Sequence, residues 1–314
     1  MGDLRAVALG GGRGLHASLS ALRLITDDVT AVVTVADDGG SSGRLRRELG
    51  LLPPGDLRKA LAALAGDGAD NSLWRTVFEH RFGGSGALAG HAVGNLLLHG
   101  LMDLLGDPVA ALDHAGAMLG AVGRVLPMSR QPVGIEARVR GADPARPDEV
   151  GTVRGQHQVA VTTGRVEWLR LTPEEPAACP EALAAVRDAD WLIFGPGSWY
   201  TSVLPHLLVP GLADAVVSSS ARRLVTLNLV AEKETRGLSL ADHLDTLGRY
   251  LPELKVDMVL ADSAAVGDPE AVRRAAESLG ARLVLAPVAV ADGTPRHDPA
   301  ALGAALVPVL GAAR

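Results

Sequence analysis

The chain has 314 residues, 47% of them hydrophobic and only 3% aromatic, so its core must be built from Ala, Val and Leu. A net charge of −6 supplies no basic stripe for a phosphate backbone and argues against a nucleic-acid binder. The one cysteine, Cys179, excludes an intrachain disulfide framework and multi-cysteine zinc sites.

The start, MGDLRAVALGGG, enters a strand directly and lacks a signal-peptide pattern. No run approaches the roughly 18 apolar residues of a membrane helix, so a cytoplasmic protein without membrane insertion is expected. Leu4–Leu9 reads as a strand, and the glycines after it open a helix to about Arg23. Gly12, Gly14 and Ala17 fit the dinucleotide spacing G-x-G-x-x-A. A dehydrogenase would then need a single acid at the end of strand two. Instead the β-branched run Val29–Val35 breaks into Asp37-Asp38-Gly39-Gly40-Ser41-Ser42, a second loop of phosphate-binding type. Its paired acids suit a ribose hydroxyl or a divalent cation.

The segment Asp56–Leu64 is predicted helical, capped by Gly55 or Asp56, with Arg58 near the glycine-loop rim. Ser72 is expected to cap the next helix, with Trp74, Val77 and Phe78 as a packing face. Gly94-Asn95 on an apolar helix points either to a ligand or to tight packing. His91 reads equally as a phosphate contact or a helix cap. From about 123 to 171, short alternating segments predict an antiparallel β-insert, including strands at Val125 and Val159–Val161. Within it, Asp143–Asp148 reads as a solvated hairpin tip, and Glu136, Arg138 and Arg140 as an exposed sheet face.

Strand and helix then alternate again. The strand Asp190–Phe194 ends in a third glycine and hydroxyl loop, Gly195–Ser202, in which Ser198, Thr201 and Ser202 are natural donors to phosphate oxygens. No acid and histidine are placed to make Ser198 a hydrolase nucleophile, and the loop is not G-x-S-x-G. Arg223–Leu229 reads as the next strand, with Asn228 near its end, and Asp298 is a good N-cap for the last helix. The whole is predicted as a single α/β nucleotide-binding domain, Rossmann-like and doubly wound, with a mostly parallel sheet and a small antiparallel insert. In such a sheet the loops converge on one edge, where ligands bind at the switch in strand order.

The motifs GGGRGL, TVADDGGSSGRLRREL, PPGDLRKALAALA, GHAVGNLLL, GPGSWYTSVLPHLLV and RHD together resemble the YvcK, or gluconeogenesis factor, family. That family shares its fold with the 2-phospho-L-lactate transferases of coenzyme F420 synthesis. The resemblance implies a cytoplasmic regulator that binds UDP-N-acetylglucosamine and links central carbon metabolism to cell-wall synthesis and cell shape. It maps a nucleotide site onto Gly11, Gly12, Gly14, Leu15, Asp37, Asp38, Gly39, Gly40, Ser41, Ser42, Asn95, Gly197, Ser198, Asn228 and Arg296. The same likeness implies a homo-oligomer, a dimer by analogy, with regulatory protein partners. It commits no catalytic residue. The other reading is a Mg²⁺-dependent transferase acting on a nucleotide-diphosphate adduct, with Asp37 and Asp38 holding the ion. Two departures stand out: Arg13 replaces a small hydroxyl residue, and Ala231-Glu232-Lys233-Glu234-Thr235 replaces the family's Gln-Pro-Gly-Glu-Thr.

Overall fold

A computed structural model describes residues 4–143 and 145–311; the reading of the first three residues and Pro144 in the hairpin tip lie outside the described residues. Seven strands form one parallel sheet: β1 (Ala6–Gly10), β2 (Val29–Val33), β3 (Arg124–Pro127), β7 (Trp191–Phe194), β8 (Arg222–Thr226), β9 (Met258–Asp262) and β10 (Arg282–Ala286). Their order is β10-β9-β8-β7-β1-β2-β3. The remaining strands, β4 (Gly134–Arg140), β5 (Val150–Arg154) and β6 (Arg165–Thr172), make a separate antiparallel sheet in the order β5-β4-β6.

Every residue of β1 and β9 is buried. Because alternate side chains point to opposite faces, both faces of the main sheet are covered, as its run of Val, Ala and Leu requires. The helix Gly12–Leu22 packs on the helices Pro54–Leu64 and Pro299–Gly311. Chain order reverses between β1 and β7: β2 and β3 lie on one side of β1, while β7 to β10 run away on the other. Loops leaving β1 and β7 therefore part there and open a crevice.

Several sequence expectations are corrected. Val125 belongs to β3, which pairs in parallel with β2, so this strand is part of the main sheet. The segment Val159–Val161 lies in a helix, Gln156–Val161, because Gly155, at φ +95°, turns the chain out of β5. Neither Gly55 nor Asp56 caps the third helix. Pro54 takes its first position, where a missing N–H costs nothing, and Pro53 precedes it. Ser72 lies inside the helix Ala69–Glu79, behind the cap Gly68. Of the expected packing face only Phe78 is buried; Trp74 is 39% exposed. Glu136 is buried on its sheet face, where Arg154 and Arg170 donate to its carboxylate at 2.7 and 2.6 Å. Asp298 does cap the last helix, accepting from the Ala301 N–H at 2.8 Å. Among the described residues no single helix is long and apolar enough to cross a membrane.

Candidate functional site

Two adjoining cavities open at the crevice. The deeper one, about 240 Å³, is lined by the loop Gly11–Gly14, by Asp37, Asp56 and Lys59, and by Ser198, Thr201 and Ser202. The wider one, about 600 Å³, is lined by His16, Pro196, Asn228, Leu229, Val290 and Arg296, among others. Arg13, Gly14, Gly197 and Glu232 border both.

Close packing of backbone makes the deep cavity. A Cβ on Gly14 would stand 2.1 Å from the Pro196 carbonyl oxygen, so only glycine lets the loop after β7 lie against the first helix. That loop then enters a single turn of π-helix, Trp199–Val203, where the Val203 N–H reaches back to the Ser198 carbonyl at 3.2 Å. The wider turn presents Ser198, Thr201 and Ser202 to the cavity together. Asn228 fixes the loop from the neighbouring strand end. Its Oδ1 accepts from the Gly197 N–H at 2.8 Å, and its Nδ2 donates to the Gly197 carbonyl at 2.9 Å. Asn228→Ala is therefore expected to lose about 2 kcal/mol of stability, measured by urea unfolding. Asn228→Asp keeps the acceptor but sets a carboxylate oxygen against the Gly197 carbonyl, so it should not recover that loss.

The acids are not equivalent. Asp37 faces the deep cavity and accepts from the Gly39 N–H at 3.0 Å. Burial raises its pKa above the ordinary carboxylate value, and the nearby Asp56 raises it further. Asp56 is held by Lys59, whose ammonium donates to it at 2.9 Å. Asp38 instead accepts from the His157 N–H at 2.8 Å and so belongs to the wall toward the small sheet. The pair that shares the cavity is Asp37 and Asp56, not the sequence neighbours.

Ser41 and Asn95 sit in a buried chain behind the cavities. Arg58 Nε donates to Asn95 Oδ1 at 3.0 Å, Asn95 Nδ2 donates to Ser41 Oγ at 2.9 Å, and Ser41 Oγ meets His91 Nδ1 at 2.9 Å. Burial, then Arg81, lowers the Arg58 pKa; burial, then Arg44, lowers that of His91. His91 is thus not a cap and lines neither of these two cavities. Gly94 is explained by packing, since a Cβ there would meet the Phe78 ring at 2.6 Å. Of the fifteen mapped residues, Gly11, Gly12, Gly14, Asp37, Gly197, Ser198, Asn228 and Arg296 line the cavities. Leu15, Ser41, Ser42 and Asn95 are buried behind them, and Gly39 and Gly40 shape the turn that aims Asp37.

The sequence profile of the 2-phospho-L-lactate transferase CofD family matches residues 6–286. This chain belongs to the CofD family. The CofD-family chain is 54% identical over 304 residues to a Mycobacterium tuberculosis protein described as "Putative gluconeogenesis factor", covering 96% of this chain and 88% of that one. It is 36% identical over 286 residues to the gluconeogenesis factor of Bacillus subtilis, covering 90% and 86% of the two chains. A crystal structure of a UPF0052-family protein from Bacillus halodurans superposes with a TM-score of 0.85 at 32% identity, covering 98% of this chain and 99% of that one. Within this CofD-family fold the cavities also recruit residues that sequence reading passed over. Lys59 and Asp56 are the clearest: Asp56, read as a cap, lies in the first turn of the helix with Lys59 three residues on, and both line the deep cavity. His16 and Gln156 are further examples.

Proposed function

We propose that this protein binds a UDP-linked sugar, UDP-N-acetylglucosamine, at the crevice between β1 and β7. It acts as a cytoplasmic, homo-oligomeric regulator linking central carbon metabolism to cell-wall synthesis and cell shape. The observation that carries the reading is the division of the crevice. A small polar cavity of glycine backbone and three hydroxyls suits a diphosphate, and the wider cavity beside it suits a nucleoside and sugar. The relatives named gluconeogenesis factor support the regulatory part. Arg296 lines the wide cavity, with its guanidinium steadied by Asp292 at 2.7 Å and by Thr294 at 2.9 Å. Calorimetry should give saturable binding of UDP-N-acetylglucosamine that Arg296→Ala weakens about tenfold. Absence of heat with every uridine nucleotide would sink the proposal.

A second reading, a Mg²⁺-dependent transferase, is favoured by one observation: Asp37 and Asp56 both line the deep cavity, close enough that the charge of Asp56 raises the Asp37 pKa. Mg²⁺ is held by one or two carboxylates together with phosphate oxygens, and this pair fits that donor set. Asp38, turned to the His157 amide, does not. The ion would neutralise charge on a diphosphate, while the chain's own Gly11–Gly14 backbone and Ser198 position it. Nucleotide release from a UDP- or GDP-linked substrate, dependent on Mg²⁺ and lost in Asp37→Asn, would favour this reading over pure binding.

A further inference from the structure

One of the three hydroxyls lining the deep cavity is already engaged. Ser198 Oγ donates to a carboxylate oxygen of Glu232, on the loop after β8. Glu232 borders both cavities, at the junction marked also by Arg13, Gly14 and Gly197. A carboxylate oxygen and a phosphate oxygen are interchangeable acceptors for such a donor.

The main chain under Glu232 is fixed. Its N–H donates to Thr235 Oγ1 at 3.0 Å, and the Thr235 N–H returns to its carbonyl at 3.2 Å. Two residues on, buried Glu234 accepts from the Tyr200 N–H at 2.9 Å, on the same π-helical turn that follows Ser198. Only the side-chain torsions of Glu232 are left free to move it off Ser198. The charge balance gives that movement a cause. Asp37, Asp56 and Glu232 bring three carboxylates to the deep cavity, against Lys59, which is paired with Asp56, and Arg13. An incoming diphosphate meets Glu232 as a like charge on its own donor.

We propose that Glu232 is a built-in occupant of the diphosphate subsite, holding the Ser198 donor until a phosphate of the ligand displaces it. Glu232 thereby sets which anions the site accepts. A lone phosphate has little to offset the displacement, whereas a diphosphate joined to a nucleoside gains contacts in the wide cavity as it enters. The inference rests on the nucleotide-diphosphate reading given above, and the experiment separates the two.

Calorimetry on the full chain compares wild type, Glu232→Ala and Glu232→Gln with UDP-N-acetylglucosamine, inorganic pyrophosphate and uridine. The expected result is that Glu232→Ala binds both diphosphates about tenfold more tightly than wild type, with uridine unchanged. Glu232→Gln, which keeps an amide near Ser198 without the charge, should fall between. Equal or weaker diphosphate binding by both variants overturns the proposal, as does an equal gain for uridine. Tighter pyrophosphate binding with no binding of UDP-N-acetylglucosamine or uridine upholds the occupant role and removes the nucleotide reading. No binding of any probe by any variant removes both. Matched urea midpoints confirm that the variants are folded.

Discussion

Gly14→Ala is expected to abolish ligand binding and to cost about 3 kcal/mol of stability. Alanine raises helix propensity by about 1 kcal/mol in a helix interior, which alone would stabilise the first helix. Here the added Cβ would lie 2.1 Å from the Pro196 oxygen, 2.5 Å from its carbonyl carbon and 2.7 Å from the Gly197 Cα. All three are backbone atoms, and the Gly197 backbone is clamped by Asn228, so no side chain can swing aside. The loop after β7 must move away from the first helix, which pulls Ser198 out of the deep cavity. Gly100→Ala is the control: Gly100 lies in the helix Val93–Leu105 with nothing within 4 Å of an added Cβ. That variant should gain about 0.5–1 kcal/mol. Urea unfolding of both, with calorimetry of the first, checks the contrast.

The second large effect is one of pH. Burial pushes the Glu234 carboxyl from 4.5 up to about 8, with Glu232 adding to the rise. In the folded chain it stays protonated up to that value, whereas in the unfolded chain it ionises near 4.5. Between those values the folded state therefore holds the extra proton, and stability falls as pH rises. The contribution is full below pH 4.5, is lost on the way to pH 8, and is flat above. Its size is on the order of 5 kcal/mol across the window. Buried histidines act in the opposite sense. Burial pushes His206 down to about 4 and also lowers His243 and His297, so each gives up its proton more readily in the folded chain than in the unfolded one. They add stability as pH rises toward 6.5, from about 4 for His206, and nothing above it. Glu234→Gln leaves them in place and removes only the acid. Urea unfolding at pH 5, 6.5 and 8 should show wild type losing stability relative to Glu234→Gln at each step. A constant difference between the two would contradict the assignment.

The parallel sheet and its loops were legible because both signals are local: apolar runs of strand length, each followed by glycine and hydroxyl residues. What escaped depended on contacts between distant segments. Gly94 looks the same in sequence whether a ligand or Phe78 approaches it, and only the position of the helix Ala69–Glu79 decides. The segment Val159–Val161 has strand composition, yet a left-handed Gly155 and the Asp38 carboxylate, 119 residues earlier, start a helix instead. Asp37 and Asp38 are indistinguishable as neighbours, but successive residues point apart, so one meets the cavity and the other its wall. Asp56 reads as a cap because Asp after Pro-Gly is a common cap; Pro54 preempts that role and frees its carboxylate for the cavity.

The tie between Asp38 and the small sheet also bears on how the molecule can diverge. Asp38 grips a backbone amide, at 2.8 Å, and not a side chain. Any residue but proline supplies that donor at position 157. The helix Gln156–Val161, which brings Gln156 and Ala160 to the deep cavity, is thus anchored independently of what the neighbouring strands carry. On the outer face of the small sheet, exposed Arg138 and Trp168 can be substituted while the cavity wall stays where it is. Substitution can therefore reach one surface without the other, although both are built on one short insertion.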